Sequence, residues 1–217
     1  MSLQLFGHPF SSYTWKVLIP LYADGTAFEY RQVPENEENY AELKRIWPLG
    51  KFPVLLDDDK RVIETTPIIE HLQAYYPGSN VWIPDGELGR RVRFLDRFFD
   101  LYVQGNMQPA VNNALRPDGM ADAYGEEQAR KNLRTAYDWL EANLPESGWA
   151  AGEDFTLADC AAAPALFYAD WVEEIGPERP TVAAYRARLL AHPVVARVVD
   201  EARPYRPYFP LGAPDRD

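Results

Sequence analysis

Hydrophobic and polar positions change rhythm near residue 80. Before that point short β-type runs alternate with helical ones. Residues 3–6 form an apolar strand run, and residues 12–23 carry Trp15, Leu18, Ile19 and Tyr22 at i, i+3, i+4 and i+7, one face of a helix closed by Asp24-Gly25. Residues 28–33 predict a second strand. The polar, acidic stretch 35–44 is either irregular or a short helix. Residues 53–56 and 61–64 predict two short strands joined by the turn Asp57-Asp58-Asp59-Lys60, and a helix over 65–76 stops at Pro77-Gly78. The predicted order is β-α-β-(α)-β-β-α.

The segment GSNVWIPDGE has the Pro and Gly punctuation of a connection, which divides the chain into residues 1–77, a linker over 78–87, and residues 88–217. Beyond the linker the pattern is helical. Val92, Leu95, Phe98, Phe99, Tyr102 and Val103 trace an apolar stripe on one long helix over 88–115, and Leu133, Ala136, Tyr137 and Leu140 mark another over 126–143. A third begins at Thr156 with FTLAD, a capping box in which Asp159 stands for the commoner Glu, with Phe155 placed for a hydrophobic staple against Cys160 or its neighbours. The run CAAAPALF is too apolar for a surface helix, so this helix belongs at the centre, bent or disrupted by Pro164. Two further helices cover 181–190 and 194–202. The closing RPYRPYFPLGAPDRD holds four prolines and is expected to wrap the surface as an extended tail.

Charge narrows the partners. Lys and Arg total 22 against 33 Asp and Glu, a net charge of −11 that repels phosphate backbones and anionic bilayers. No basic segment followed by an apolar run opens the chain, and no run approaches a membrane span, so a soluble cytoplasmic protein that binds neither nucleic acid nor membrane is expected. A single cysteine, Cys160, excludes an intrachain disulfide, and His8, His71 and His192 lack metal-ligand spacing, so no metal is expected.

Three short segments carry candidate chemistry. Ser11 and Ser12 stand where the first strand run hands over to a helix, so a hydroxyl there lies beside unpaired N–H groups and the positive end of the helix dipole. That place suits an anionic ligand atom, a thiolate included, and equally suits a plain helix cap. Gly50-Lys51-Phe52-Pro53-Val54 opens a strand with a proline, for which local sequence favours the trans bond. Were it cis, the Phe52 backbone would face an extended peptide as an added strand, with Lys51 near a carboxylate. Glu64-Thr65 closes a strand and opens a helix, pairing a carboxylate with a hydroxyl and a backbone N–H, which matches an amino acid head.

In this order, and followed by an all-helical domain with FTLAD, these segments resemble the cytosolic glutathione transferases over residues 3 to about 202. The segment SSYTWKV is similar to the serine-type branch, most of all to the zeta class, where SSCSW is usual. The resemblance implies an α/β thioredoxin-like N-terminal domain plus an all-α C-terminal domain. It implies that Ser11, six residues before Val17, hydrogen-bonds the glutathione sulfur while Ser12 assists or caps the helix. Phe52, before a cis Pro53, would pair with the cysteinyl part, Lys51 with the glycyl carboxylate, and Glu64 and Thr65 with the γ-glutamyl head. Thr65 stands in for the usual Ser and Trp47 for the common Asn. Tyr13 stands where the zeta class has Cys, a departure that bears on maleylacetoacetate isomerisation and leaves glutathione binding untouched.

The implied activity is transfer of glutathione, as co-substrate, to a small electrophilic and apolar molecule lying between the domains near Phe10, Tyr13, Tyr102 and Tyr168. The tail residues Tyr205 and Tyr208 are further candidates, as is Trp171. A homodimer is implied too, with the long helix and its successor facing their symmetry mates. Two alternatives accompany this: a non-catalytic glutathione-binding or regulatory protein on the same fold, and a glutathione-dependent isomerase.

Overall fold

The computed structural model describes residues 3–217. Strands β1 (Leu3–Gly7), β2 (Glu29–Gln32), β3 (Val54–Asp57) and β4 (Lys60–Ile63) form one sheet in the order β2-β1-β3-β4. β1 and β2 run parallel, while β1–β3 and β3–β4 are antiparallel. Alternation along β1 sets the two faces: Leu3 and Leu5 enter the main core, and Phe6 enters a smaller cluster with Val33, Leu43 and Val54. Helices α1 (Ser12–Ala23) and α3 (Thr65–Tyr75) cover the first face, and α2 (Glu37–Ile46) covers the second.

The ambiguous acidic stretch is therefore helical. Asn36 caps α2 by accepting from Asn39 N at 3.0 Å, with Glu37 and Glu38 in the first turn and Lys44 and Arg45 in the last. Charges arranged that way complement the helix dipole at both ends.

The rest of the chain packs α4 (Gly86–Phe98), a π-helical segment Phe99–Gln104, α5 (Gly105–Ala114), α6 (Ala123–Asn143), α7 (Leu157–Val172), α8 (Pro180–Ala191) and α9 (Pro193–Ala202). The single long helix expected over 88–115 is thus interrupted by a wider turn, within which Asp100 meets Lys16 of α1. Every residue of α7 is buried, as its composition predicts. α7 runs as one continuous helix through Pro164, so the disruption among the two expected outcomes does not occur, because packing on all sides outweighs the one backbone bond that proline removes. The Asp159 carboxylate accepts from Thr156 N at 2.9 Å, Ala150 N at 2.9 Å and the Tyr185 hydroxyl at 2.6 Å. Phe155 packs its ring against Trp82, Trp149 and His192 and lies against the core cluster that contains Cys160.

The tail also departs from expectation. Arg203–Tyr208 is a short 3-10 helix, in which Pro204 falls in the first turn, where an N–H has no helical partner in any case. Beyond it the chain does lie along the surface, with Asp217 paired to Arg203 and Arg206 and Arg216 paired to Asp170.

The two halves share one apolar core, in which α1 lies between the sheet and α7. A polar joint runs through it. Lys16, 1% exposed, holds Asp96 at 2.5 Å and Asp100 at 2.7 Å, and Thr66 of α3 donates to Asp96 at 2.7 Å. The spacing of Asp96 and Asp100 puts both carboxylates on the helix side that faces α1, where one ammonium serves both.

Candidate functional site

Strand register brings the three candidate segments to one end of the sheet. Phe6 pairs with Val54 and Val54 with Ile63, so the chain leaving β1, the chain entering β3 and the chain leaving β4 emerge at the same edge. β2, parallel to β1, ends there as well, with Gln32 opposite Gly7. Ser11, Ser12, Lys51, Phe52, Pro53, Glu64 and Thr65 therefore belong to loops and helix starts on a single rim.

Ser11 is the N-cap of α1. Its backbone is extended, with φ −92° and ψ 123°, and its Oγ accepts from Thr14 N at 3.3 Å. Of the two roles expected for Ser12, assisting or capping, capping falls to Ser11: an N-cap must be extended, and Ser12 is already the first helical residue. A cap oxygen that accepts still has its own hydrogen to donate. Ser12 and Tyr13 open the helix with N–H groups that have no carbonyl within it to bond. Ser12 faces a narrow crevice shared with Lys16, Asp100 and Gln104. β1 must end on glycine here, since a Cβ at Gly7 would lie 2.6 Å from the Thr14 side chain.

The Phe52–Pro53 bond is cis, as the family resemblance implies and against the local expectation of trans. A second cis bond, Val33–Pro34, lies on the same rim. Phe52 packs against the smaller cluster and Lys51 is exposed. Glu64 is exposed and has φ 74° and ψ 141°, a conformation glycine normally supplies and one that costs a side chain-bearing residue about 1–3 kcal/mol. Thr65 beside it is 5% exposed at the first position of α3.

Tyr13 is the titratable group most perturbed on the rim. Burial first, then the carboxylates of Asp100 and Glu64, push its phenol up to about 12, so it is neutral at physiological pH. Asp100 is raised by burial, against the pull of Lys16.

The aromatic positions separate. Phe10 and Tyr13 lie at the rim. Tyr168 is 3% exposed, its ring against Phe10 at 5.2 Å and its hydroxyl donating to the Phe10 carbonyl at 2.9 Å, so it braces the turn and does not offer an open wall. Tyr102 is half exposed and lines a separate groove with Phe98, Leu101 and Trp139, between the π segment and α6. Its place on the predicted stripe is thus corrected: the π turn carries it to the outer face. Tyr205 and Tyr208 lie against His8, and Trp171 packs on Phe10 and Phe209.

Two parts of the site have no counterpart in the sequence reading. One is the pairing of Lys16 with Asp96 and Asp100, for which the four-residue carboxylate spacing was the available signal. The other is His8, considered only as a metal ligand. Among the described residues no group of three His, Cys, Asp or Glu side chains is gathered as a metal would require, and no helix is long and apolar enough to cross a membrane.

Comparison with known proteins agrees with this architecture. Residues 5–80 match the model of the glutathione S-transferase N-terminal domain, and residues 122–201 match that of the C-terminal domain. A probable maleylacetoacetate isomerase of Vibrio cholerae is 27% identical over 213 residues, covering 94% of this chain and 98% of that protein. Glutathione S-transferase F6 of Arabidopsis thaliana is 25% identical, covering 91% and 99% respectively. The crystal structure of a glutathione S-transferase from Methylobacterium radiotolerans, in complex with glutathione sulfonate, superposes with a TM-score of 0.78 at 24% identity over 92% of this chain and 95% of that one, a likeness of fold. With both domain models matched in sequence order on a thioredoxin-like sheet and a helical partner, the chain belongs to the glutathione S-transferase family.

Proposed function

We propose that the protein activates the thiol of glutathione at the start of α1 and delivers it to a small electrophile. The observation that carries this is the rim itself: a free hydroxyl hydrogen on Ser11, unpaired N–H groups at Ser12 and Tyr13, and a cis Pro53 and Glu64-Thr65 at the same sheet end. α1 has no acidic residue in its first turn, so the positive end of its dipole is not neutralised internally. A thiolate held there gains from the dipole, and the Ser11 O–H donates to it. A free thiol of this kind ionises near ~8.5, and lowering that value raises the reactive fraction at neutral pH. Serine acts as donor, and the sulfur is the nucleophile that bonds to the electrophilic carbon while a leaving group or an added proton closes the reaction.

The tripeptide assignment follows the same rim. The Phe52 backbone beside cis Pro53 takes the cysteinyl segment, the exposed Lys51 ammonium the glycyl carboxylate, and Glu64 with the Thr65 N–H and hydroxyl the γ-glutamyl head. Phe10 and Tyr13 flank the electrophile. Conjugation of an aryl halide, measured for the wild type and for Ser11→Ala, tests this reading. Glutathione binding without turnover on any electrophile would support a binding protein instead. A glutathione-dependent isomerase is the second reading, favoured by the Vibrio cholerae relative, and release of unconjugated isomerised product would identify it.

The same proposal includes a homodimer. Leu101 and Tyr102, each about half exposed, share with Phe98 and Trp139 a groove between the π segment and α6, and the half-exposed Phe94 of α4 packs on Trp139 beside it, a face suited to a second copy of itself. Sedimentation should give twice the chain mass, and Leu101→Glu with Phe94→Glu should return monomer.

A further inference from the structure

We infer that His8 is a positioning residue for the Ser11 turn, holding it in place only as the neutral imidazole that carries its proton on Nε2. The turn from β1 to α1 is pinned at every carbonyl: Ser11 N donates to His8 O at 3.0 Å, the Trp15 indole to Pro9 O at 2.5 Å, and the Tyr168 hydroxyl to Phe10 O at 2.9 Å. The one backbone donor inside the turn, Phe10 N, is bonded to a titratable side chain, His8 Nδ1, at 3.0 Å. A nitrogen that accepts bears no hydrogen, so the proton of neutral His8 resides on Nε2, which is buried and lies 2.8 Å from Glu35 Oε1 without the alignment of a hydrogen bond.

His8 is 6% exposed, so this arrangement is enclosed. Its ring is faced by Glu35 from the chain after β2 and by the Tyr205 and Tyr208 rings of the C-terminal 3-10 helix at 4.7 and 6.5 Å, while the His8 backbone N–H donates to the Thr14 hydroxyl of α1 at 3.2 Å. Protonation puts a second hydrogen on Nδ1, opposite the Phe10 N–H, and the two donors repel. The turn must then release Phe10 N or rotate the ring away from Glu35. Either movement shifts the residue before Ser11, so loading of the cap hydroxyl depends on the protonation state of His8.

This rests on the proposed glutathione chemistry for its activity readout, and a second readout is independent of it. Nitrogen-15 spectra of the imidazoles should show neutral His8 as the Nε2–H tautomer, with the Phe10 amide shifting in step with its protonation. An Nδ1–H tautomer, or a Phe10 amide indifferent to that titration, would overturn the inference whether or not the protein turns over glutathione. Substitution separates the two nitrogens, since Asn Oδ1 reproduces the Nδ1 acceptor and Gln reproduces only the reach of Nε2. His8→Asn should keep aryl-halide kcat/KM within about threefold and flatten the acid limb of its pH profile, while His8→Gln should lose about tenfold, the worth of one lost acceptor. Equal losses, equal retention or the reverse order would overturn it.

Discussion

Two helices of this protein have a hydroxyl residue at the N-cap, and they begin differently. α7 starts at Thr156, 2% exposed, and brings its own anion: Asp159 bonds the Thr156 backbone and hydroxyl, the Ala150 amide and the Tyr185 hydroxyl. α1 is capped by Ser11, partly buried, with one cap bond of 3.3 Å and no acidic residue in its first turn. Both ends carry the same partial positive charge. Where a buried carboxylate answers it the helix start is a folding device, and where nothing in the chain answers it the start is available to a ligand. A cap motif is therefore told from a site by whether its anion comes from the chain.

The largest effect expected from this contrast is at the closed end. Asp159→Ala strands two buried amides and a tyrosine hydroxyl, and should cost about 3–5 kcal/mol in urea unfolding, with the activity of the folded fraction unchanged. Lys16→Met, which leaves Asp96 and Asp100 facing each other without their cation, should destabilise by about 3 kcal/mol, with a loss of heat stability preceding any loss of glutathione affinity. Ser11→Ala inverts the ratio: about 1 kcal/mol of stability for a lost cap, but about 10–100-fold in kcat/KM. Should Ser11→Ala be as harmless to activity as Asp159→Ala is to the folded fraction, the distinction between the two ends fails.

The smallest effect is a pH dependence. The Tyr76 hydroxyl, ahead of His71, holds the Asp57 carboxyl below the usual range. The unfolded chain therefore binds the proton first, so this group's contribution is complete above the ordinary carboxylate pKa of ~3.9 and is lost as pH falls through the lower folded value. Asp159 has the opposite sign, since burial raises it and acid relieves the charge. Asp57→Asn should flatten the acid decline of the melting temperature between about pH 5 and 3. An unchanged slope would assign that decline to other carboxylates.

Much of the fold was legible because periodicity and caps are local. The alternation of β1, the stripe of α1 and the FTLAD box each predicted what forms there. The failures have tertiary causes. Pro164 sits inside an unbroken α7 because its neighbours on all sides hold the helix, and Tyr102 left the predicted stripe because a π turn intervenes at Phe99–Gln104. At the site, Ser11, Pro53 and Glu64 were legible as three segments, but their convergence is a property of register, seen only in the row Phe6, Val54 and Ile63. The left-handed backbone of Glu64 had no signal, since such a position ordinarily announces itself as glycine. His8 carries no sequence signal for its place in the turn because the groups it meets, Phe10 N and Glu35, lie one on a backbone and one beyond another strand.

The central claim is that the open start of α1, through Ser11, stabilises a thiolate it does not itself supply. Ultraviolet titration of the thiolate of bound glutathione tests it most directly, in the wild type and in Ser11→Ala at saturating protein. The wild type should hold the bound thiol well below the ~8.5 of a free one, and Ser11→Ala should return it most of the way while still binding the tripeptide. A bound thiol that titrates identically in both proteins would contradict the account.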